Sequence, residues 1–172
     1  MMVGKKCMIS LLLIFFCVFS LCGFSLAYAQ ENRLKTGTYI KDADRTGYGE
    51  LSITNGMYND AVAMLTTLEN KTILSVYIRG NNDNFTISGI QDGDYYLYFT
   101  SGQGWNSSLK EFEEDADYSM LNSTLNYVTK EDKEGILYTS NTLKLKVVTV
   151  PSDSTVVVTQ SNVPKMNFPP IA

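Results

Sequence analysis

Histidine is missing from this 172-residue chain, and its three cysteines (Cys7, Cys17, Cys22) are confined to the N-terminal end. Without imidazole or a retained thiol, Ser-His-acid and Cys-His nucleophilic catalysis have no base or nucleophile to work with. Zinc and copper sites, which draw on the same two side chains, lose their preferred ligands. Proline is equally restricted: all four (Pro151, Pro164, Pro169, Pro170) lie near the C-terminus. The body of the chain is therefore free of the residue that most disrupts a β-ladder. Positive charge is scarce too, with 14 Lys and Arg against 18 Asp and Glu.

The cysteines fall in a segment with its own logic. Lys5 and Lys6 precede an apolar run over residues 8–24, and Ala27-Tyr28-Ala29 closes it with small residues at the two positions a signal peptidase reads. This layout predicts a secretory signal peptide over residues 1–29. Two other readings compete with cleavage. Residues 7–29 are long enough to remain as an uncleaved membrane anchor, and Cys22 offers a lipoprotein site, which Leu21 before it disfavours. The Ala-x-Ala ending favours cleavage, and the expected location is secreted, periplasmic or cell-surface.

The expected mature chain, residues 30–172, is long enough for a single domain with a sizeable core. That core must hold without disulfides. Loss of Lys5 and Lys6 leaves 12 basic against 18 acidic side chains. Such a balance argues against nucleic-acid partners and against electrostatic attachment to a membrane. It serves solubility.

Along this stretch short apolar runs of period two are bounded by Gly, Asn, Asp or Ser, the signature of strands. Strands are expected at residues 38–40, around Leu51 and Ile53, over 61–67, and at Leu74, Val76 and Ile78. Others follow at Phe85 and Ile87, at Tyr95, Leu97 and Phe99, over 125–128, at Leu143, Leu145 and Val147, and over 156–158. Asn55-Gly56 reads as a tight turn. One segment breaks the pattern. Leu109, Phe112, Ala116 and Met120 recur every three or four residues, and Ser108 with Glu111 resembles a capping box. These predict one short helix near 108–117. The expected fold is all-β, an antiparallel β-sandwich (prealbumin-like or immunoglobulin-like) of eight or nine strands, with an irregular Pro-containing tail over 161–172.

Asp60-Ala61-Val62-Ala63-Met64-Leu65, followed by Phe85-Thr86-Ile87-Ser88-Gly89-Ile90-Gln91-Asp92-Gly93-Asp94-Tyr95, resembles the transthyretin-like, carboxypeptidase regulatory-like domains of secreted prokaryotic proteins. The resemblance spans about residues 49–101. It implies a β-sandwich in which Gly89 and Gly93 turn the backbone, Asp92-Gly93 opens a hairpin, and Tyr95 begins the next strand facing the core. It also implies a non-catalytic module. The additional 70 or so residues suggest an elaborated form of that sandwich.

Ligand chemistry is sparse. Tyr96 and Tyr98, on the strand face opposite Leu97 and Phe99, with Trp105 on a Gly-rich loop, are the candidate aromatic platform for sugar rings. The competing reading packs Trp105 into the end of the sandwich and the tyrosines against a neighbouring layer. Asp83, Asp92 and Asp94 offer turn oxygens to calcium, but none belongs to a complete twelve-residue loop. No metal or cofactor is therefore expected. Ser107-x-x-Lys110 matches a Ser-Lys spacing that common residues produce by chance. Glu111, Glu113, Glu114, Asp115 and Asp117 read as the solvated face of the expected helix, and no pair of them is set apart as catalytic. The expected function is a non-enzymatic exported module for protein interaction or a structural role, with carbohydrate binding as the alternative. Its partner is then a protein or a glycan.

Overall fold

The computed structural model describes residues 33–145 and 160–172. The expected signal peptide and the expected strand over 156–158 lie outside these, as does Val147. Residues Leu34–Ala172 form one compact unit.

Period-two sequence becomes strand wherever one face is covered. β2 (Gly49–Asn55) alternates buried and half-buried positions throughout, with Leu51 and Ile53 inward and Ser52 and Thr54 toward water. β3 (Asp60–Thr66), the one nearly continuous apolar run, is buried at all seven positions. An unbroken apolar strand is what a sheet covered on both faces requires.

Twelve strands appear among the described residues, more than the eight or nine expected. The larger sheet runs in the order β1 (Thr38–Lys41), β4 (Thr72–Ile78), β3, β6 (Gly93–Asn106), β7 (Glu111–Leu121) and β12 (Gln160–Asn162), with β8 (Leu125–Tyr127) paired to the start of β6. A three-stranded sheet holds β11 (Ser140–Leu145), β2 and β5 (Asp83–Ile90). β9 (Thr129–Asp132) and β10 (Gly135–Tyr138) form a hairpin of their own. Pairing is antiparallel except for β11, which lies parallel to β2. The all-β sandwich is thus as expected.

Leu51, Ile53, Ile87, Ile90, Leu143 and Leu145 of the smaller sheet meet Ala61, Ala63, Leu65, Leu74, Val76, Ile78, Leu97 and Phe99 of the larger in one buried cluster. Each Leu, Ile, Val or Phe among them contributes about 1.5–3 kcal/mol when fully buried. A second cluster lies on the opposite, outer face of the larger sheet and contains Val62, Met64, Tyr77, Tyr98, Trp105 and Phe112.

Four expectations need correction. The helix near 108–117 is absent. Residues 107–110 form a turn, and β7 pairs back onto β6 from Glu111 onward. The Asn106 side-chain oxygen accepts from the Ser108 and Leu109 amides at 3.0 Å each, and Lys110 turns the chain at φ 57°. Phe112, Ala116 and Met120 stand four positions apart, an even spacing that strand alternation accommodates as readily as a helical repeat does, and the register break between Ser101 and Gln103 lies across from Asp115 at φ 50°. Strand pairing here overrides local helix propensity.

Asn55-Gly56 and Asp92-Gly93 do not close hairpins. β2 and β3 belong to different sheets, as do β5 and β6, so both turns carry the chain across the sandwich. Gly89 is needed in the second crossing: it sits at φ 83°, and a Cβ there would fall 2.5 Å from the Arg45 carbonyl oxygen. Trp105 lies within β6, not on a loop. Lastly, the tail over 161–172 is only partly irregular. It begins in β12, which pairs with β7, and contains a 3-10 turn at Lys165–Asn167.

Candidate functional site

β6 places Tyr96, Tyr98 and Trp105 on the outer face of the larger sheet, where they join the second cluster. Tyr98 and Trp105 stand an odd number of positions apart and would face opposite ways on a regular strand. They share a face because β6 is irregular between Ser101 and Gln103 and Gly104 takes φ 63°. Gly102 lies in this stretch, and a Cβ there would press within 2.5 Å of Phe112 Cβ. Trp105 meets Phe112 edge-on at 5.0 Å and Tyr77 at 5.9 Å. Tyr96 meets Tyr98 at 6.5 Å.

Assembled in this way, the three rings are not presented to water as a platform. Trp105 is 3% exposed and Tyr98 5%, while Tyr96 is half-buried. The Tyr98 hydroxyl donates to Asn70 Oδ1 at 2.9 Å. The cover is shared between Leu34 and Ile40, near the start of the described chain, and the C-terminal segment. Val163, Phe168 and Ile171 pack on this face, and the Phe168 ring stands edge-on to Tyr98 at 5.6 Å and to Tyr118 at 4.9 Å. Pro169 is buried. Two buried hydroxyls on this side, Thr66 Oγ1 and Thr100 Oγ1, make no hydrogen bond. In sequence the tail reads as an irregular end. The signal for its docking is the set of apolar residues interleaved with its prolines.

The three acidic candidates are held apart by separate partners. Asp83 accepts from Thr36 Oγ1, and Asp94 accepts from Asn126 Nδ2 at 2.8 Å. Asp92 accepts from the Thr129 amide at 2.8 Å and from its hydroxyl at 2.6 Å. These bonds, the hydroxyl's foremost, hold the Asp92 carboxyl below its ordinary range. Among the described residues no three acidic, His or Cys side chains gather as metal ligands do.

A cleft of about 90 Å³ is lined by Leu65, Leu74, Ile90 and Tyr95, with Arg45 and Gln91 among its polar residues. Arg45 is committed: its guanidinium lies 4.4 Å over the Tyr39 ring, donates to the Tyr39 hydroxyl at 2.9 Å, and pairs with Asp42 at 3.1 Å. Burial raises the Tyr39 phenol above its ordinary pKa and the Arg45 charge opposes that shift. What remains is a small apolar notch whose rim carries the paired Arg45 and the Asp44 carboxylate.

Several exposed apolar side chains lie elsewhere, on elements that sequence reasoning missed. β10 is exposed at all four positions, with Leu137 71% and Ile136 and Tyr138 each 41% exposed. Tyr48 stacks on Tyr138 at 6.4 Å, and Val128 stands exposed just before β9. The turn is local: Asp132 Oδ1 accepts from the Glu134 and Gly135 amides at 2.8 and 3.1 Å. Asp-Lys-Glu-Gly between two short β-prone runs was the available signal. No protein-family model, curated protein or solved structure matches the chain.

Proposed function

We propose that this chain is an exported, non-enzymatic β-sandwich that docks a protein partner on its β9–β10 hairpin, as a structural or accessory module at the cell envelope or outside the cell. The observation that carries this reading is the exposed hairpin, with Ile136 and Tyr138 on one face, where Tyr48 stacks on Tyr138, and Leu137 exposed on the other. Large apolar side chains gathered on a surface mark interaction sites. β10 adds an uncharged strand whose outer edge has no ladder partner among the described residues, and such edges accept an added strand. The leader-like N-terminus and the resemblance of residues 49–101 to transthyretin-like domains support the same reading.

The test is in vivo crosslinking of the full chain in its native envelope, compared with an Ile136→Asp, Leu137→Asp variant. Both positions are exposed, so the thermal midpoint should move by no more than about 2 °C. The wild-type crosslink to a protein should disappear in the variant. A crosslink that persists removes the hairpin from the proposal. Binding of the wild-type chain on a glycan array, with no protein crosslink, would favour the carbohydrate reading instead.

A further inference from the structure

A strand at a sheet edge offers unpaired backbone groups, and folds ordinarily blunt such edges with charge, proline or a bulge. Three of the outermost strands follow that rule. β1 carries Lys41 and an irregular register between Tyr39 and Lys41. β5 carries Asp83 and a register break opposite Gly49 and Glu50. β11 carries Lys144. β10 has none of these devices. Gly135-Ile136-Leu137-Tyr138 is uncharged and pairs with β9 in an unbroken register, from Gly135 against Asp132 to Tyr138 against Thr129. Among the described residues the two strands make a two-stranded sheet of their own. Such a sheet is marginal by itself, and further strands with a covered apolar face are what stabilise it.

The free edge of β10 is also self-complementary. Residues directly opposite in an antiparallel pair share a face, so a two-fold axis relating two such strands must pass at a residue and not between two. Centred on Leu137, the axis sets Leu137 against the second copy's Leu137 on one face. On the other face Ile136 meets the second copy's Tyr138, and Tyr138 its Ile136, beside the Tyr48 ring that already stacks on Tyr138. Glu134 then lies opposite Ser140, so no like charges are opposed. Centring on Ile136 would put Tyr138 against Glu134 and Leu137 against Gly135, and centring on Tyr138 would put Ile136 against Ser140 and Leu137 against Thr139. The Leu137 register alone matches every apolar side chain of β10 with another. We infer that β10 pairs antiparallel with β10 of a second copy of this chain about an axis at Leu137, joining two hairpins into one four-stranded sheet. The pairing rests on the hairpin's being a protein-docking surface, and it names that protein as another copy. Four residues from each copy make a contact at the small end of specific interfaces, so the association is weak and grows with concentration. The acidic excess of the chain opposes it, and salt screens that repulsion.

Sedimentation equilibrium of the full chain from about 1 µM to about 1 mM should show monomer and dimer in equilibrium, with the dimer favoured by added salt. Leu137→Lys puts a charge at the axis and should weaken the dimer at least about tenfold. Leu137 is 71% exposed, so that variant should keep the wild-type circular dichroism. Register is read in the full chain carrying Cys7→Ser, Cys17→Ser and Cys22→Ser. With Leu137→Cys added, a disulfide dimer should form at least about tenfold faster than with Ile136→Cys, because opposite side chains come within disulfide range and diagonal ones do not. Equal rates, or a dimer that Leu137→Lys leaves intact, would overturn the inference. Monomer at every concentration would overturn it too. If a crosslink to a different protein is then lost in the Ile136→Asp, Leu137→Asp variant, the hairpin keeps its docking role with a foreign partner. If no such crosslink exists, both readings fall.

Discussion

The larger sheet is covered on both sides, by different means. Its inner face offers mainly aliphatic side chains (Ala61, Ala63, Leu65, Val76, Ile78, Leu97) and the Phe99 ring to a second sheet. Its outer face offers rings and hydroxyls (Tyr77, Tyr98, Trp105, Phe112, Thr66, Thr100) to Leu34, Ile40 and a short stretch of tail. Inward, the cover is built of three hydrogen-bonded strands. Outward, it consists of side-chain contacts and a few bonds to carbonyls. The lesson is that burial alone does not identify structural core. The two faces are comparably dry, yet one is locked by the fold's topology and the other is covered in part by a segment held outside every β-ladder of β1–β11.

Substitutions should separate the faces. Phe99→Ala, in the inner cluster, should cost about 3–5 kcal/mol in denaturant unfolding, as large-to-small changes in packed cores do. A loss no larger than that of an exposed substitution would break the distinction from the inner side. Next in size is an alkaline limb from Tyr127, whose phenol burial pushes up to about 12 from its ordinary 10. The nearest polar partner is the Asn141 amide, yet neither group makes a regular hydrogen bond. Because the folded value is the higher one, this stability is complete below pH 10 and is lost as pH rises from about 10 to about 12. The amount is on the order of 2 kcal/mol. Tyr127→Phe should shrink that limb, while a pH profile identical to wild type would contradict it.

On the outer face the Phe168 ring is only half-buried. Phe168→Ala should therefore cost less, about 1–2 kcal/mol. Hydrogen exchange should quicken at Tyr118 and Val163 without changing at Leu51 or Ile53. Uniform quickening would mean that the two faces are one cooperative unit. The smallest effect belongs to Thr100→Val. It removes a buried hydroxyl that has no partner and substitutes a β-preferring side chain. We expect a change within about 1 kcal/mol, neutral or stabilising. A destabilisation as large as that of Phe168→Ala would reveal a bond that the geometry does not show.

The inner face was legible in the sequence because a half-buried strand shows its covered side every second residue. β2, β4 and the first half of β6 can be read directly from Leu51 and Ile53, from Leu74, Val76 and Ile78, and from Leu97 and Phe99. The same alternation puts Tyr96 and Tyr98 on the opposite side, where they lie. Legibility ends where the pattern depends on partners. A series of spacing four fits a helix and, being even, also fits one face of a strand, so residues 109–120 read as a helix until β6 is there to pair with them. The parity change that returns Trp105 to the Tyr98 face is set by the irregularity between Ser101 and Gln103. Asn55-Gly56 and Asp92-Gly93 signal a turn but carry no information on whether the next strand stays in the sheet. The tail's docking and the β9–β10 surface depend on neighbours remote in the chain, as the Thr72–Pro170 bond illustrates.

The most direct measurement is the solution NMR of the Phe168 ring in the full chain. Ring protons shifted upfield by the neighbouring tyrosines are expected, with nuclear Overhauser contacts to Tyr98 and Tyr118, whose centroids lie 5.6 and 4.9 Å away. Random-coil shifts for that ring, with no contact to either tyrosine, would show that the tail does not cover the outer face and would contradict the account.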